Sequence, residues 1–297
     1  MQNEIHAYDS RKHWEIIERS ILPLGMKTIQ AIWSFKRKQY PDSCLNKNKA
    51  RICAHGGMQQ RGVFYWEIYN PVVNLLTVKL LLVLCNIHCL ESKSVDFVLA
   101  FPQADLDVDI WMEVPQGFDV ADQGHNHSYV LKLKKSLYGL KQSSLNWFDK
   151  LKTGLVDRGF KPSDINPCLY LRDGMIILTY VDDCIIIGEK MSDINVFINS
   201  MHEGKENFTL TDEGDVNKFL GIEITKYEDS LFELSRPFLI DWVVKFLGLC
   251  HNEFETDANT RSTPVVKGLL HRDLTGKQPD ISPPHRHSQL CLQSPRG

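Results

Sequence analysis

The stretch from 175 to 188 reads Met-Ile-Ile-Leu-Thr-Tyr-Val-Asp-Asp-Cys-Ile-Ile-Ile-Gly. Two unbroken apolar runs flank the adjacent acids Asp182 and Asp183. Runs of this length with β-branched residues and no polar alternation read as strands buried on both faces. That puts Asp182-Asp183 at the tip of a hairpin, and Asp173-Gly174 marks a second turn just before it. Residues 94–100 form another nearly continuous apolar run, broken only by Asp96; it reads as a central strand carrying one buried carboxylate, a placement that costs free energy unless compensated. If this strand pairs beside the hairpin, Asp96, Asp182 and Asp183 converge on one sheet edge. Like charges that close cannot all ionise, so either their pKa values rise or hard cations neutralise them. Carboxylate oxygens suit Mg²⁺, with Mn²⁺ as a substitute. Two such ions ~3.5–4 Å apart are the clamp used for in-line phosphoryl transfer. An isolated Asp-Asp, by contrast, is most often a solvated turn.

The rest of the chain alternates strand and helix signals. A helix is expected over 4–21 from the spacing of Ile5, Tyr8, Trp14, Ile17 and Ile21. Short strands are expected at 30–38 and 50–55, on either side of the turn-like Tyr40-Pro41-Asp42-Ser43. Pro71 reads as the mouth of a long helix through Cys89. Further helices are expected at 145–158, 193–203 and 237–247, with strands at 168–171 and 219–224. Strand pairs interleaved with helices indicate an α+β fold with an antiparallel sheet. From Thr275 onward the periodicity fails, and the tail reads as unstructured.

Composition narrows the function classes. Apolar residues make up 43% and charged ones 24% of 297 residues, with a net charge of −3, which is the profile of a folded globular chain. The most apolar window, 72–90, is interrupted by Asn74, Lys79, Asn86 and His88 and reads as a buried helix, not a membrane span. No apolar leader is evident, and eight scattered cysteines suit a reducing compartment, so an intracellular location is expected. Charge is segregated: eight basic residues against one acid from Lys27 to Arg61, eight acids against one lysine from Glu91 to Asp122, and six lysines against one acid from Lys132 to Lys152. Basic walls around an acidic centre suit polyphosphate or nucleic acid held near a cation site, although charged runs are as readily explained as solvated surface. Cys85, His88 and Cys89 share one helical face, but no fourth zinc ligand is evident and core packing explains them better. His125, His127, His285 and His287 read as solvated.

The tetrapeptide Tyr180-Val181-Asp182-Asp183 resembles the catalytic hairpin of reverse transcriptases, and the surrounding motifs resemble the copia-type LTR-retrotransposon branch. Lys49-Ala50-Arg51 with Gly56, Gln59 and Gly62 is similar to that family's fingers segment, and Tyr65 to Val73 to its Y-x-E-T-[FY]-[SA]-P-V-V. Asp96 to Phe101 resembles the first catalytic-aspartate motif, with Trp111 to Phe118 following in order. Ser136-Leu137-Tyr138-Gly139-Leu140-Lys141-Gln142 matches S-L-Y-G-L-K-Q, and Phe219 to Ile224 resembles the primer grip. Ile68, Asn70 and Cys44 depart from the pattern. After Leu274 the resemblance ends, where family members continue into RNase H, and Pro283-Pro284-His285-Arg286-His287 reads as out-of-frame sequence.

The resemblance implies a right-hand polymerase with fingers and the helix leading into the palm over 1–90. The palm with a fingers insertion would span 91–227, a partial thumb 228–262, and a disordered or frame-shifted tail 263–297. It implies RNA-directed DNA polymerase activity with two Mg²⁺ ions on Asp96, Asp182 and Asp183. Lys49 and Arg51, alternating on one strand and so sharing a face, would meet the incoming triphosphate. Gln142 would contact substrate and template, or simply start a helix. Phe101 would face the sugar as a steric gate, or be core. Phe219, Leu220 and Gly221 would meet the primer, with a strand bulge as the plain account of Gly221. The implied partners are an RNA or DNA template with its primer, deoxynucleoside triphosphates, and a second copy or other polyprotein parts, without a membrane. The implied location is a cytoplasmic particle or the nucleus. An inactive, decaying transposon fragment and a non-catalytic nucleic-acid-binding protein are the alternatives.

Overall fold

The computed structural model describes residues 1–39, 45–118, 120, 126–227 and 232–246. The turn at 40–43, Cys44, His125, the residues at 228–231 and everything from 247 on lie outside the described residues. Met1–Asp241 forms one compact unit and Trp242–Gly297 a second.

In chain order the elements are α1 (Gln2–Asp9), β1 (Trp14–Glu18), β2 (Ala31–Gln39), β3 (Leu45–Ala54), α2 (Leu75–Ile87), β4 (Glu91–Phe97), α3 (Ala100–Gln103), β5 (Asp105–Glu113), β6 (Tyr129–Lys135), α4 (Ser143–Asp157), β7 (Lys161–Pro162), β8 (Leu169–Arg172), β9 (Met175–Tyr180), β10 (Asp183–Gly188), α5 (Met191–Ser200), β11 (Leu210–Gly214), β12 (Lys218–Phe219), β13 (Ile222–Lys226), β14 (Phe232–Ser235) and α6 (Pro237–Phe246). The mixture is α+β, and the main sheet has six strands in the order β11-β4-β10-β9-β8-β7. All of its pairings are antiparallel.

The unbroken apolar runs follow from burial on both faces of this sheet. Cys184 and Ile186 pack with Trp147, Leu151 and Leu155 of α4 and with Phe197 and Ile198 of α5. Ile185 and Ile187 point the other way, against Val78, Leu81, Leu82 and Cys85 of α2 and against Phe219, Ile222 and Ile224. A separate core forms around β5 and β6, where Ile110, Met112, Leu131 and Leu133 pack with Ile5, Tyr8, Trp14, Ile52 and Phe64. β5 and β6 therefore belong spatially with the N-terminal residues, although they follow β4 in sequence.

Several expected elements differ. The helix over 4–21 stops at Asp9; Lys12 takes φ 53°, and Trp14 to Glu18 pairs with β6 instead. Ile16 and Ile17 are β-branched and better suited to that strand. The long helix does not begin at Pro71 but at Leu75, because the Asn74 side chain accepts the Leu76 amide at 2.9 Å and caps it. It is buried on one face only, with Leu76, Leu80, Val83 and Ile87 exposed. The strand expected through 100 ends at Phe97, where Leu99 at φ 53° turns the chain into α3. The single strand expected at 219–224 is two short strands joined by a tight turn, with Leu220 at φ 52° and Gly221 at φ 70°.

Candidate active site

The sheet pairing brings the acids together. Asp96 on β4 is the direct register partner of Asp183 on β10, and Asp183 in turn opposes Tyr180 on β9. The Phe97 amide donates to the Asp182 carbonyl at 2.8 Å, extending the ladder into the turn. On the other side of β4, Thr211 opposes Asp96 and its hydroxyl donates to the Asp96 carbonyl at 3.3 Å. Asp96, Asp182 and Asp183 are all half-buried. Asp96 therefore carries less burial than its apolar neighbours suggest.

The turn between β9 and β10 is a two-residue one, Val181-Asp182, and Val181 takes φ 53°. A β-branched residue rarely enters that region, and such strain persists only where the surroundings enforce it. Trp147 supplies part of the enforcement. It is 1% exposed, and its indole N–H donates to the Val181 carbonyl at 2.6 Å.

Like charge gathers at the tip. Burial, then the charges of Asp182 and Asp96, push the Asp183 carboxyl up from 3.8 to about 6, with Lys218 of β12 pulling weakly the other way. Among the described residues no three His, Cys, Asp or Glu side chains are gathered tightly enough to hold a metal ion as they stand. The donor chemistry nevertheless fits a hard divalent cation: three half-buried carboxylates at one strand end, one of them with its pKa raised by burial and then by its two neighbours.

Beyond the acids lies a stacked group. The Arg51 guanidinium sits over the Tyr138 ring, 4.7 Å from its centroid, and that ring lies 5.0 Å from the ring of Phe101 in α3. Burial pushes the Tyr138 hydroxyl up to about 12; Arg51 lowers it, and Asp182 and Asp96 raise it further. Tyr138 is thus within electrostatic reach of both the acids and Arg51. Its loop is held by close backbone contact. Ala54 donates to the Tyr138 carbonyl at 2.7 Å, and a Cβ on Gly139 (φ 91°) would fall 2.2 Å from the Ala54 carbonyl oxygen. A glycine is required there.

The other expected site residues divide between those placed as expected and those turned into the core. Lys49 and Arg51 do share a face of β3, two residues apart and both half-buried. Gln142, expected at the substrate, is only 3% exposed. Its amide nitrogen donates to the Phe64 carbonyl at 2.8 Å and its oxygen accepts from Gln59 at 3.0 Å, so it ties the 59–64 segment to the start of α4. Phe219 is 1% exposed and belongs to the core against α2, which leaves half-buried Leu220 and exposed Gly221 at the turn. Cys85 is likewise core, while Cys89 is exposed and joins no metal-ligand group among the described residues. His127 is exposed, as expected for a solvated residue. Tyr138, Trp147 and Lys218 are not singled out by spacing; being the one aromatic of Ser136-Leu137-Tyr138-Gly139-Leu140-Lys141-Gln142 is the one signal that marks Tyr138.

Residues 11–267 match the family model described as reverse transcriptase (RNA-dependent DNA polymerase). The chain is 32% identical over 235 residues to the retrovirus-related Pol polyprotein from transposon TNT 1-94 of Nicotiana tabacum, covering 77% of this chain and 17% of that protein. It is 29% identical over 249 residues to the corresponding polyprotein from transposon RE1 of Arabidopsis thaliana, covering 82% and 16%. The chain thus spans about a sixth of the length of these relatives. Among solved structures, apo telomerase from Candida tropicalis aligns at 8% identity and a TM-score of 0.38, over 78% of this chain and 59% of that one. Telomerase from Candida albicans, in complex with a fragment of telomeric RNA, aligns at 7% and 0.40, over 84% and 54%. The matched span contains the Asp96–Asp183 strand pair, the Val181-Asp182 turn and the Arg51–Tyr138 stack, and the chain belongs to the reverse transcriptase (RNA-dependent DNA polymerase) family, in its copia-type retrotransposon branch.

Proposed function

We propose that this chain is the polymerase segment of a copia-type Pol polyprotein and extends a primer on an RNA or DNA template with deoxynucleoside triphosphates. The observation that carries the reading is the register pair Asp96–Asp183 with Asp182 in the adjoining turn. In the reaction, the primer 3′ oxygen forms a bond to the α-phosphorus, the α–β anhydride bond breaks, and pyrophosphate leaves with the hydroxyl proton lost to solvent.

Polymerases of this family use divalent metal ions, and here Asp96, Asp182 and Asp183 would hold them, with two Mg²⁺ as the natural choice. Bound there, such ions supply Lewis-acid stabilisation of the attacking and leaving oxygens. Lys49 and Arg51 hold the triphosphate, the arginine by its planar fork of donors. Phe101 lies against Tyr138 and faces the sugar. The turn at Leu220-Gly221 approaches the primer. Residues 1–90 with β5 and β6 serve as fingers, the six-stranded sheet as palm, and 228–262 as a partial thumb. Template pairing selects the base, and affinity comes mainly from phosphate contacts that weaken as salt rises. No helix of the described residues is long and apolar enough to cross a membrane; an intracellular location, in a particle or the nucleus, follows from the proposed role.

Primer extension on poly(rA)/oligo(dT) with Mg²⁺ tests the reading. Wild type should extend and Asp182→Asn should not, with template binding retained in both. Binding without extension by the wild type would instead mark a non-catalytic nucleic-acid-binding protein.

A further inference from the structure

Arg51 is seated on more than Tyr138. Among the described residues β3 is paired on one side only, by β2, so every second amide of the strand faces the other edge and needs a partner from elsewhere. The Ala54 amide is taken by the Tyr138 carbonyl. The Ile52 amide, two residues earlier on the same edge, faces the carboxyl group of Glu4 and offsets part of the rise that burial imposes on it. Glu4 is delivered there by α1, whose Ile5 and Tyr8 are buried with Ile52 and Ala54 in one core. Its carboxyl therefore lies beside the strand that carries Lys49 and Arg51, and the charges of both act on it.

Two complementary atoms in this corner have no hydrogen bond. Glu4 Oε1 is buried without a partner, and so is Arg51 Nε. Buried polar atoms left unpaired are rare and call for a reason. An anionic acceptor and a cationic donor, both buried and unpaired and with their charges acting on each other, are chemically matched. The Tyr138 ring covers one face of the guanidinium.

We propose that Glu4 is a positioning residue for Arg51: it anchors the guanidinium from behind, so that the remaining donors of the fork meet the incoming triphosphate. This rests on the reading of Arg51 as a triphosphate contact. A merely structural role for Glu4, as an acid favourable in the first turn of α1, would lower stability and leave nucleotide affinity alone.

Single-turnover incorporation of dTTP on poly(rA)/oligo(dT), titrated in dTTP, separates affinity (Kd) from the rate at saturation. The proteins are the full-length wild type, Glu4→Gln, Glu4→Asp, Arg51→Gln and Glu4→Gln/Arg51→Gln, each with its melting curve. Glu4→Gln should weaken dTTP binding by about tenfold, within the usual range for coupled sites, and change the saturating rate far less. Glu4→Asp, keeping the charge, should recover part of the affinity. In the Arg51→Gln background the Glu4 substitution should add nothing further. An unchanged Kd in Glu4→Gln, or an equal loss with and without Arg51, overturns the proposal. If Arg51→Gln itself leaves Kd unchanged, it is the triphosphate reading that falls. The dTTP-induced shift in Tm gives the same comparison without turnover.

Discussion

The backbone amide of Phe97 donates to the carbonyl of Asp182 at 2.8 Å, one residue beyond the point where Asp96 and Asp183 stand opposite each other. The first acid is thereby locked to the hairpin by main chain on both sides of its Cα. The relative placement of the acids depends on strand register, not on side-chain packing. A one-residue slip would send Asp96 to the other face of the sheet. Side chains enter only where the turn departs from ordinary backbone, at Val181.

Trp147 is the side chain that holds that turn. Trp147→Phe preserves most of the buried ring contact with Phe97 and Phe208 but removes the donor to the Val181 carbonyl. Leaving that acceptor unpaired should cost about 1–3 kcal/mol. The expected result is a Tm lower by several degrees and a lower kcat, with KM for deoxynucleotide unchanged because Arg51 and Lys49 are untouched. Steady-state kinetics beside a melting curve measure both; a rise in KM alone would contradict this account.

Asp183 ties stability to pH. Its carboxyl is raised from 3.8 to about 6, by burial first and by Asp182 and Asp96 next. Below pH 3.8 the group is protonated in folded and unfolded chains alike. Between 3.8 and about 6 the unfolded chain releases the proton while the folded one keeps it, so stability falls as pH rises, and above about 6 the loss is complete. Asp183→Asn should therefore melt higher than wild type at pH 8 in EDTA, with the gap closing toward pH 4. It should also be inactive. Mg²⁺ should raise the Tm of the wild type at pH 8 and do so less in Asp183→Asn. A gap between the two proteins that does not vary with pH would mean that Asp183 carries no such penalty.

Gln142 is expected to matter for folding instead of substrate binding. It is 3% exposed and bridges Gln59 and the Phe64 carbonyl. Gln142→Ala leaves two buried groups without partners, each worth about 1–3 kcal/mol. Tm should fall clearly, while KM for dTTP in the surviving folded fraction stays at the wild-type value. An increased KM at unchanged Tm would restore the substrate role that its place in the motif suggests.

These cases show which features the residue pattern carries. Burial on both faces writes itself as an unbroken apolar run, so β9, β10 and the acids at their tip were legible. A change of backbone direction is not written that way. Trp14 and Ile17 fit a 3.6-residue period as well as a short strand, and nothing local marks Lys12 as the break. Leu220 at φ 52° hides a tight turn inside what reads as a strand. Spacing fixes Gln142 beside the site but cannot say that its amide turns inward. Glu4, Tyr138 and Trp147 matter through partners 34 or more positions away in sequence, placements that only the tertiary fold creates.

Phe101 offers a sharper separation between site and core. It is half-buried on α3, packs against the core under the main sheet, and lies 5.0 Å from the Tyr138 ring that carries Arg51. A ring there would exclude a 2′ hydroxyl by collision, and removing a clash admits the rejected substrate without any new attractive contact. Phe101→Val should therefore raise ribonucleotide incorporation, while deoxynucleotide use falls less because the acids are untouched. Truncating a fully buried Phe to Ala costs about 3–5 kcal/mol. A half-buried ring that keeps a valine in its place should lose less, so the variant stays folded and the comparison can be made. If Phe101 served only as core, both sugars would lose kcat/KM in parallel with Tm. The two outcomes separate on the ratio of kcat/KM for UTP and dTTP on poly(rA)/oligo(dT), and a ratio equal to that of the wild type rules out the gate.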